Sequence, residues 1–324
     1  MAGLANPLLA LQLDLWLPDQ LIYVSLLVLL ALSLNLINGW GRMFSLGHHG
    51  FYFLGAYGAA WMTSALDPSL PGVLVLLASV LFGTALAALG GLAIGVPCLR
   101  LRGDYLAIAT LGFGEGVRLV VTSLDSRVPP GMGVRHVLFE PTPTTQLTYR
   151  LLYLGLLVVV VAAVAIAIRN FIRSSKGRAM LAVAQDEIAA GLLGLPPARS
   201  RVFVFVVGSS IAGLAGALFA HYSGSVATKD FEFVMMVRIF LVVVLGGLGS
   251  LSGCIVAAFL LYSTERALIM KGGVIGEWSQ VIFALLLILM MIFRPKGIFG
   301  PRELTDVIRS WKERRQRRGG EVAP

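Results

Sequence analysis

The chain has 324 residues, of which 57% are hydrophobic and 13% are charged, and its net charge is +9. A mean hydropathy of +0.84 excludes a soluble globular protein and predicts an all-α, polytopic membrane protein. The positive charge is typical of a cytoplasmic membrane face, so we expect membrane lipid, not nucleic acid, next to it.

The predicted transmembrane helices follow from apolar stretches of about 20 residues, the length needed to cross the hydrocarbon core. We expect about 8–10 such helices, some of them interrupted at glycines. Residues 1–293 are predicted to form the transmembrane domain, and residues 294–324 a basic cytoplasmic tail. The predicted spans are Leu21 to Asn38, Gly47 to Leu66, Pro71 to Pro97, Tyr105 to Leu124, Tyr149 to Ile168, Val202 to His221, Phe233 to Gly249, Leu251 to Met270 and Trp278 to Phe293.

The distribution of basic residues predicts the topology, because lysine and arginine are enriched in cytoplasmic loops. This rule places the segment from Arg173 to Arg201 and the tail after Phe293 in the cytoplasm, and the N-terminus outside. The glycine run from Gly246 to Gly253 is then a cytoplasmic turn between two crossings. A break within the membrane is the alternative.

Glycines and two adjacent histidines distinguish the segment from Asn38 to Trp61. Glycines permit close helix packing, and they permit broken helices where freed backbone groups line a cavity. For the two histidines, the alternative is a structural role in hydrogen bonds to nearby groups. The candidate pathway residues here are Ser45, Gly47, His48, His49 and Gly50.

Glu115 and Arg118 form a predicted charged pair within the fourth span. They lie three residues apart, so they share a helix face and offset each other's burial cost. We expect them either in the pathway or its gate, or in a structural ion pair. Gly246, Gly247 and Gly249 are further pathway candidates.

The segment from Arg173 to Arg201 predicts an amphipathic helix between two apolar spans. Its apolar residues follow helical spacing, with Asp186 and Glu187 between them. Pro196 and Pro197 are expected to end the helix, because proline lacks an amide hydrogen. The pattern leaves two alternatives open, docking on a partner protein or lying on the lipid headgroups.

The chain lacks the phosphate-binding pattern G-x-x-x-x-G-K-[ST], so any energy supply must come from an ion gradient or another subunit. Cys98 and Cys254 suggest no disulfide framework. His136 and Glu140 make a poor metal site. We therefore expect no catalytic residues, no metal and no cofactor.

Three stretches resemble the permeases of branched-chain amino-acid ABC transporters, above all the M-type permease. They are Leu32 to Ala60, Arg100 to Leu119 and Gly177 to Gly253, and they include RGDYLAIATLGFGE and VLGGLGS. The resemblance covers most of the chain. It implies a non-enzymatic subunit of the bacterial inner membrane that pairs with an H-type permease. Two cytoplasmic ATP-binding subunits would drive it, and a periplasmic or lipid-anchored binding protein would deliver substrate.

The resemblance also implies that residues 178–194 form the coupling helix, which docks on the ATPase in such importers. The shared pattern is E-A-A-x-x-x-G; Ala189, Ala190 and Gly194 match it, and Ile188 stands at the glutamate position. The implied coupling residues are Arg178, Asp186, Glu187, Ala189, Ala190 and Gly194.

The expected function is import of leucine, isoleucine and valine by alternating access. Permeases for urea and short amides share much of the family's sequence and are the first alternative. A gradient-driven transporter or channel is the second. An intramembrane enzyme using Glu115, His48 and His49 is the third, and it lacks a nucleophile paired with a base.

Overall fold

The computed structural model describes residues 7–67, 69–98, 100–101, 103–124, 132–133 and 145–270, with the single positions 278, 281, 282, 285, 288, 289 and 297. The chain divides into two compact units, Met1–Phe240 and Leu241–Pro324. Most of the ninth predicted span and all but residue 297 of the predicted tail lie outside the described residues.

The described residues are almost entirely helical, which confirms the predicted fold class. The only strands described are β1 (Met132–Gly133) and β2 (Ser225–Val226), which pair antiparallel with Met132 opposite Val226. The helices are α1 (Pro7–Asn35), continued by a π-helix (Leu36–Trp40), α2 (His48–Ala65), α3 (Gly72–Cys98), α4 (Asp104–Leu124), α5 (Gln146–Arg173), α6 (Ser175–Gln185), α7 (Glu187–Leu192), α8 (Pro197–Ser223), a 3-10 turn (Thr228–Phe231), α9 (Phe233–Gly246) and α10 (Leu251–Met270).

Within the described part of the chain, 6 helices are long and apolar enough to cross a membrane. The helices are α1 with its π-helical extension, α3, α4, α5, α8 and α10. The 18-residue α2 and the 14-residue α9 occupy two more of the predicted spans. Eight predicted spans therefore each coincide with a helix, and the chain is a multi-pass membrane protein.

One predicted element is wrong in its boundaries, because the amphipathic segment is two helices, not one. The backbone of Asp186 is extended, with φ −148° and ψ 110°, and it separates α6 from α7. The apolar periodicity continues across this break, so periodicity alone predicted a single helix. Pro197 also does more than end the segment, since it occupies the first turn of α8, where its missing amide hydrogen costs nothing.

Three helices, α2, α3 and α8, pack together at the centre of the first unit and meet at glycines. A Cβ atom added to Gly55 on α2 would overlap the carbonyl oxygen of Gly213 on α8. One added to Gly83 on α3 would overlap the carbonyl oxygen of Gly55. The backbones of the three helices are thus in direct contact, which only small residues permit.

One face of α8 consists of small residues that recur every fourth position. Gly208, Ala212 and Gly216 are all buried. A Cβ on Gly208 would meet Ile37, and one on Gly216 would overlap the carbonyl oxygen of Tyr52. This face therefore holds α8 against the segment after α1 and against α2.

The outer helices of the first unit expose apolar side chains. Only 17% of the apolar window of α5 and 28% of that of α3 is buried, against 83% for α1. Exposed positions include Leu81 and Leu89 on α3 and Val159 and Ile166 on α5. In a membrane protein such faces contact lipid or a second subunit.

In the second unit, a tight turn over residues 247–250 joins α9 to α10. Gly247 and Gly249 have φ values of 102° and 87°, which L-residues with side chains rarely adopt. A Cβ on Gly246 would lie 2.6 Å from the carbonyl of Gly253, so the two glycines face each other across the turn. This glycine run therefore forms a tight turn between two helices.

We predict that Gly55→Leu destabilises the protein by about 1–3 kcal/mol, because the new side chain has no space between α2 and α8. The measurement is the midpoint of thermal unfolding of the purified protein in detergent. Gly155→Leu on α5 is the matched control, since nothing lies within 4 Å of a Cβ at Gly155. Equal shifts for the two variants would contradict the close contact between α2 and α8.

Candidate functional site

The connection between α5 and α6 is a sharp and well-capped turn. The Ser174 hydroxyl accepts a hydrogen bond from the amide of Gly177 at 3.1 Å and donates one to the carbonyl of Phe171 at 2.6 Å. A Cβ on Gly177 would overlap that same carbonyl. Ser174 and Gly177 thus determine the direction in which α6 leaves the end of α5.

The side chain of Asp186 begins α7. Its Oδ1 accepts hydrogen bonds from the amides of Ile188 at 2.9 Å and Ala189 at 3.0 Å, the usual role of an N-cap aspartate. At the other end of α7, Gly194 has φ 78° and the amide of Leu195 donates to the carbonyl of Ala190. This is the glycine-terminated end common in helices. Asp186 and Gly194, both predicted coupling residues, therefore define the limits of α7.

Helix α7 carries an unusually exposed apolar surface, which we call the α7 patch: Ile188, Leu192 and Leu193. These side chains are 74%, 86% and 80% exposed. Ala190, on the opposite side, is 2% exposed and packs against the rest of the chain, whereas Ala189 is exposed. Such a surface is typical of a site that contacts a partner protein or the membrane.

An ion pair ties α7 to the first turns of α8. The Arg201 guanidinium lies 2.9 Å from Oε2 of Glu187, and both side chains are about three-quarters buried. Arg178 on α6 is exposed and donates a hydrogen bond to the carbonyl of Arg173. Glu187 is thus already paired within the chain, through a partner that sequence spacing did not indicate.

A cavity of about 280 Å³ lies beside this ion pair. Glu187 and Arg201 line it together with Arg42 and Phe44, from the linker between α1 and α2, and Leu106 on α4. Arg42 has a φ of 48°, in the left-handed region that side chains other than those of glycine, asparagine and aspartate seldom adopt. The cavity is therefore surrounded by α7, α8, the linker and α4.

The linker itself is held by hydrogen bonds. The side-chain amide of Asn38 donates to the carbonyl of Ser45 at 3.2 Å and accepts from its amide at 3.1 Å. The amide of Leu46 donates to Thr110 on α4 at 3.0 Å, and a Cβ on Gly47 would overlap the backbone of Thr110. Ser45 and Gly47 are thus part of a packed connection between α1, α2 and α4.

Both histidines at the start of α2 are fully buried. His48 Nε2 lies 2.6 Å from the hydroxyl of Ser33 on α1. His49 Nε2 lies 3.5 Å from Oε1 of Glu115 on α4, and its ring packs over Gly114. A second buried pair of the same kind joins Ser79 on α3 to His221 on α8 at 2.6 Å.

The predicted pairing of Glu115 with Arg118 is confirmed, with Nε of Arg118 2.8 Å from Oε2 of Glu115. Both side chains are partly exposed, at 29% and 24%, unlike the neighbouring His49. Gly50 packs against Gly114 of α4. The α2–α4 contact thus gathers His49, Gly50, Glu115 and Arg118 into one polar cluster.

The predicted pathway residues do not all come together in one unit. Those from Ser45 to Gly50, with Glu115 and Arg118, surround the start of α2 and its contact with α4. Gly246, Gly247 and Gly249 lie at the α9–α10 corner of the second unit. The role of either group in a pathway stays a prediction.

Sequence reasoning missed several partners of these residues, namely Ser33, Asn38, Thr110 and, as the partner of Glu187, Arg201. Ser33 and Thr110 are small polar residues within apolar helices, a weak signal at best. Asn38 and Ser45 flank the glycine-rich linker, where polar side chains often bond the backbone.

The comparisons with known proteins decide the family. Residues 18–291 match the family described as "Branched-chain amino acid transport system / permease component". The chain belongs to this permease family.

Several curated permeases are similar to the chain. The LivM permease protein of the high-affinity branched-chain amino acid transport system of Salmonella typhimurium is 35% identical over 298 residues, which is 84% of this chain and 67% of that protein. The LivH permease protein of Escherichia coli is 34% identical over 143 residues, 44% of this chain and 46% of its own length. A probable LivM of Methanocaldococcus jannaschii is 24% identical over 262 residues, 74% of each protein.

We predict that Ser33→Ala destabilises the permease by about 1–3 kcal/mol, because it leaves the buried ring of His48 without its hydrogen-bond partner. Thermal unfolding in detergent measures the effect. Ser64→Ala is the control, since the Ser64 hydroxyl is exposed and bonds the carbonyl of Trp61 in its own helix. A shift no larger than that of the control would refute a structural role for the Ser33–His48 pair.

Proposed function

We propose that this chain is one of two permease subunits in an ABC importer for leucine, isoleucine and valine. A second, H-type permease completes the pathway, two cytoplasmic ATP-binding subunits drive it, and a substrate-binding protein delivers the amino acid. LivM and LivH relatives, both named as permease proteins of a branched-chain amino acid transport system, support the pairing and the substrate.

The observation that carries the proposal is the α7 patch. Ile188, Leu192 and Leu193 stand exposed on a short capped helix between two spans, α5 and α8. An apolar surface on a polar-flanked helix is a protein-docking element, because the partner removes it from water. An ATP-binding subunit is the partner that a permease without an ATP-binding motif requires.

Charge supports the orientation in which this end of the first unit is cytoplasmic. Basic residues collect around α6, α7 and the helix ends beside them, namely Arg42, Arg100, Arg173, Lys176, Arg178, Arg199 and Arg201. Such enrichment marks the cytoplasmic side of a membrane protein. With this face inside the cell, the N-terminus is expected outside. The basic tail is expected in the cytoplasm because of its own lysines and arginines.

The contacts of α7 suggest how docking would drive transport by alternating access. Glu187 links α7 to α8 through Arg201, and the adjoining cavity reaches the linker before α2 and the start of α4. Helix α8 then packs at glycines on α2 and α3. A push on α7 would therefore reach the central helices through rigid contacts.

We expect ATP-dependent uptake of labelled leucine by proteoliposomes that contain this permease, its second permease, both ATP-binding subunits and the substrate-binding protein. Uptake should cease without ATP on the side of the ATP-binding subunits, because the permease cannot supply the energy itself. Labelled urea, tested in parallel, should not be taken up.

Uptake of urea instead of leucine would show that the proposed substrate is wrong, but it would leave the proposed importer mechanism unchanged. Uptake that does not depend on ATP, and that stops when the ion gradient is dissipated, would refute the importer mechanism. It would favour a secondary transporter. The matched control is the same assembly with ATP-binding subunits that bind ATP but do not hydrolyse it.

We also predict that Glu187→Lys reduces copurification of the ATP-binding subunits several-fold, because a lysine beside Arg201 repels it and displaces α7. The double exchange Glu187→Lys with Arg201→Glu restores the pair with reversed charges and should restore association. Failure of the exchange to restore it would mean that Glu187 contacts the partner directly.

A bulky residue at Gly194 should weaken the same association, because a φ of 78° strains any side chain there and disturbs the end of α7. Gly191 is the matched control, since it is also exposed, has open space around it and lacks the positive φ. Insertion of the permease into the membrane should be unchanged in all variants.

A further inference from the structure

A groove of about 560 Å³ runs between the end of α3 and the beginning of α8. Leu92 and Val96 of α3 form one wall, and Val202, Phe203 and Val206 of α8 form the other. Its volume falls within the roughly 300–1,000 Å³ of small-molecule sites. The groove lies along two membrane-spanning helices, so its apolar part faces the hydrocarbon region.

Two arginines stand at the mouth of this groove. Arg100 follows the end of α3, and Arg199 lies in the first turn of α8; both are exposed. Neither guanidinium has a hydrogen bond or an ion pair with any residue that the structure describes. By contrast, Arg118, Arg150 and Arg201 are each paired with a carboxylate.

Among the residues that the structure describes, none therefore neutralises the charge at the mouth. No acidic side chain of the described residues lines the groove, and Ala198 brings the N-terminal turn of α8, with its positive dipole end, to the same place. Guanidinium groups bind phosphate oxygens through paired hydrogen bonds. A zwitterionic headgroup would bring an ammonium group for which the groove provides no carboxylate.

We infer that this groove binds an anionic phospholipid, with the phosphate held between Arg100 and Arg199 and an acyl chain along the walls of α3 and α8. Basic pockets between transmembrane helices at the cytoplasmic side are known to bind such headgroups. The inference requires only that the chain lies in a membrane, and it stands or fails independently of the transported substrate.

The test is native mass spectrometry in detergent, on the assembled complex and on the isolated full-length chain. Phosphatidylglycerol, or phosphatidylethanolamine with identical acyl chains, is titrated into each sample. We expect phosphatidylglycerol to bind about tenfold more tightly, because two basic groups each favour the anionic headgroup. The variant Arg100→Gln with Arg199→Gln should abolish this preference.

Two further variants test whether the lipid binds in the groove itself and not to basic residues elsewhere on the surface. Arg173→Gln with Lys176→Gln removes the same charge from the same end of the first unit, outside the groove, and should leave the preference unchanged. Val96→Trp keeps every charge but narrows the groove, and it should weaken binding of phosphatidylglycerol.

Three results would overturn the inference. The first is equal loss of preference in both double variants, which would indicate general surface charge. The second is equal binding of the two lipids to the unmodified protein. The third is binding to the isolated chain but not to the assembled complex, which would show that a partner subunit covers the groove.

Discussion

Backbone contact among α2, α3 and α8 is the constraint on which the rest of the first unit depends. Within lipid, helices gain little from burying apolar side chains, so association relies on close packing and on polar bonds. Gly55, Gly83 and Gly213 bring the three backbones together. The buried Ser–His pairs at His48 and His221 then join α1 to α2 and α3 to α8. Polar bonds of this kind also specify which helix faces which.

Helix α8 connects this centre to the α7 patch. It begins at Pro197, pairs with α7 through Arg201, and then presents glycines to α2 and α3. A single continuous helix thus contacts both α7 and the packed core. Since packed interiors do not deform continuously, a displacement of α7 is expected to move α8 as a rigid body.

The surfaces that the first unit leaves uncovered differ in chemistry, and each suits a different partner. The α7 patch is apolar but lies among basic and acidic residues, which suits a soluble protein partner. The outer faces of α3 and α5 are mostly apolar, which suits lipid tails or another transmembrane helix. The groove between α3 and α8 combines an apolar wall with two arginines that pair with no described residue, which suits a charged lipid.

Sequence alone determined the membrane class, the Glu115–Arg118 pair and the positions of eight helices, although α1 begins at Pro7, well before the predicted Leu21. Apolar length and spacing along one helix are local properties. It did not determine the break at Asp186, because the apolar periodicity continues through this residue even though Asp186 is the N-cap of α7. Only the tertiary structure decided that Ser33 pairs with His48, that Arg201 pairs with Glu187, and that Gly55 meets Gly213. These contacts join residues far apart in the chain, and no local pattern specifies which helix faces lie against each other.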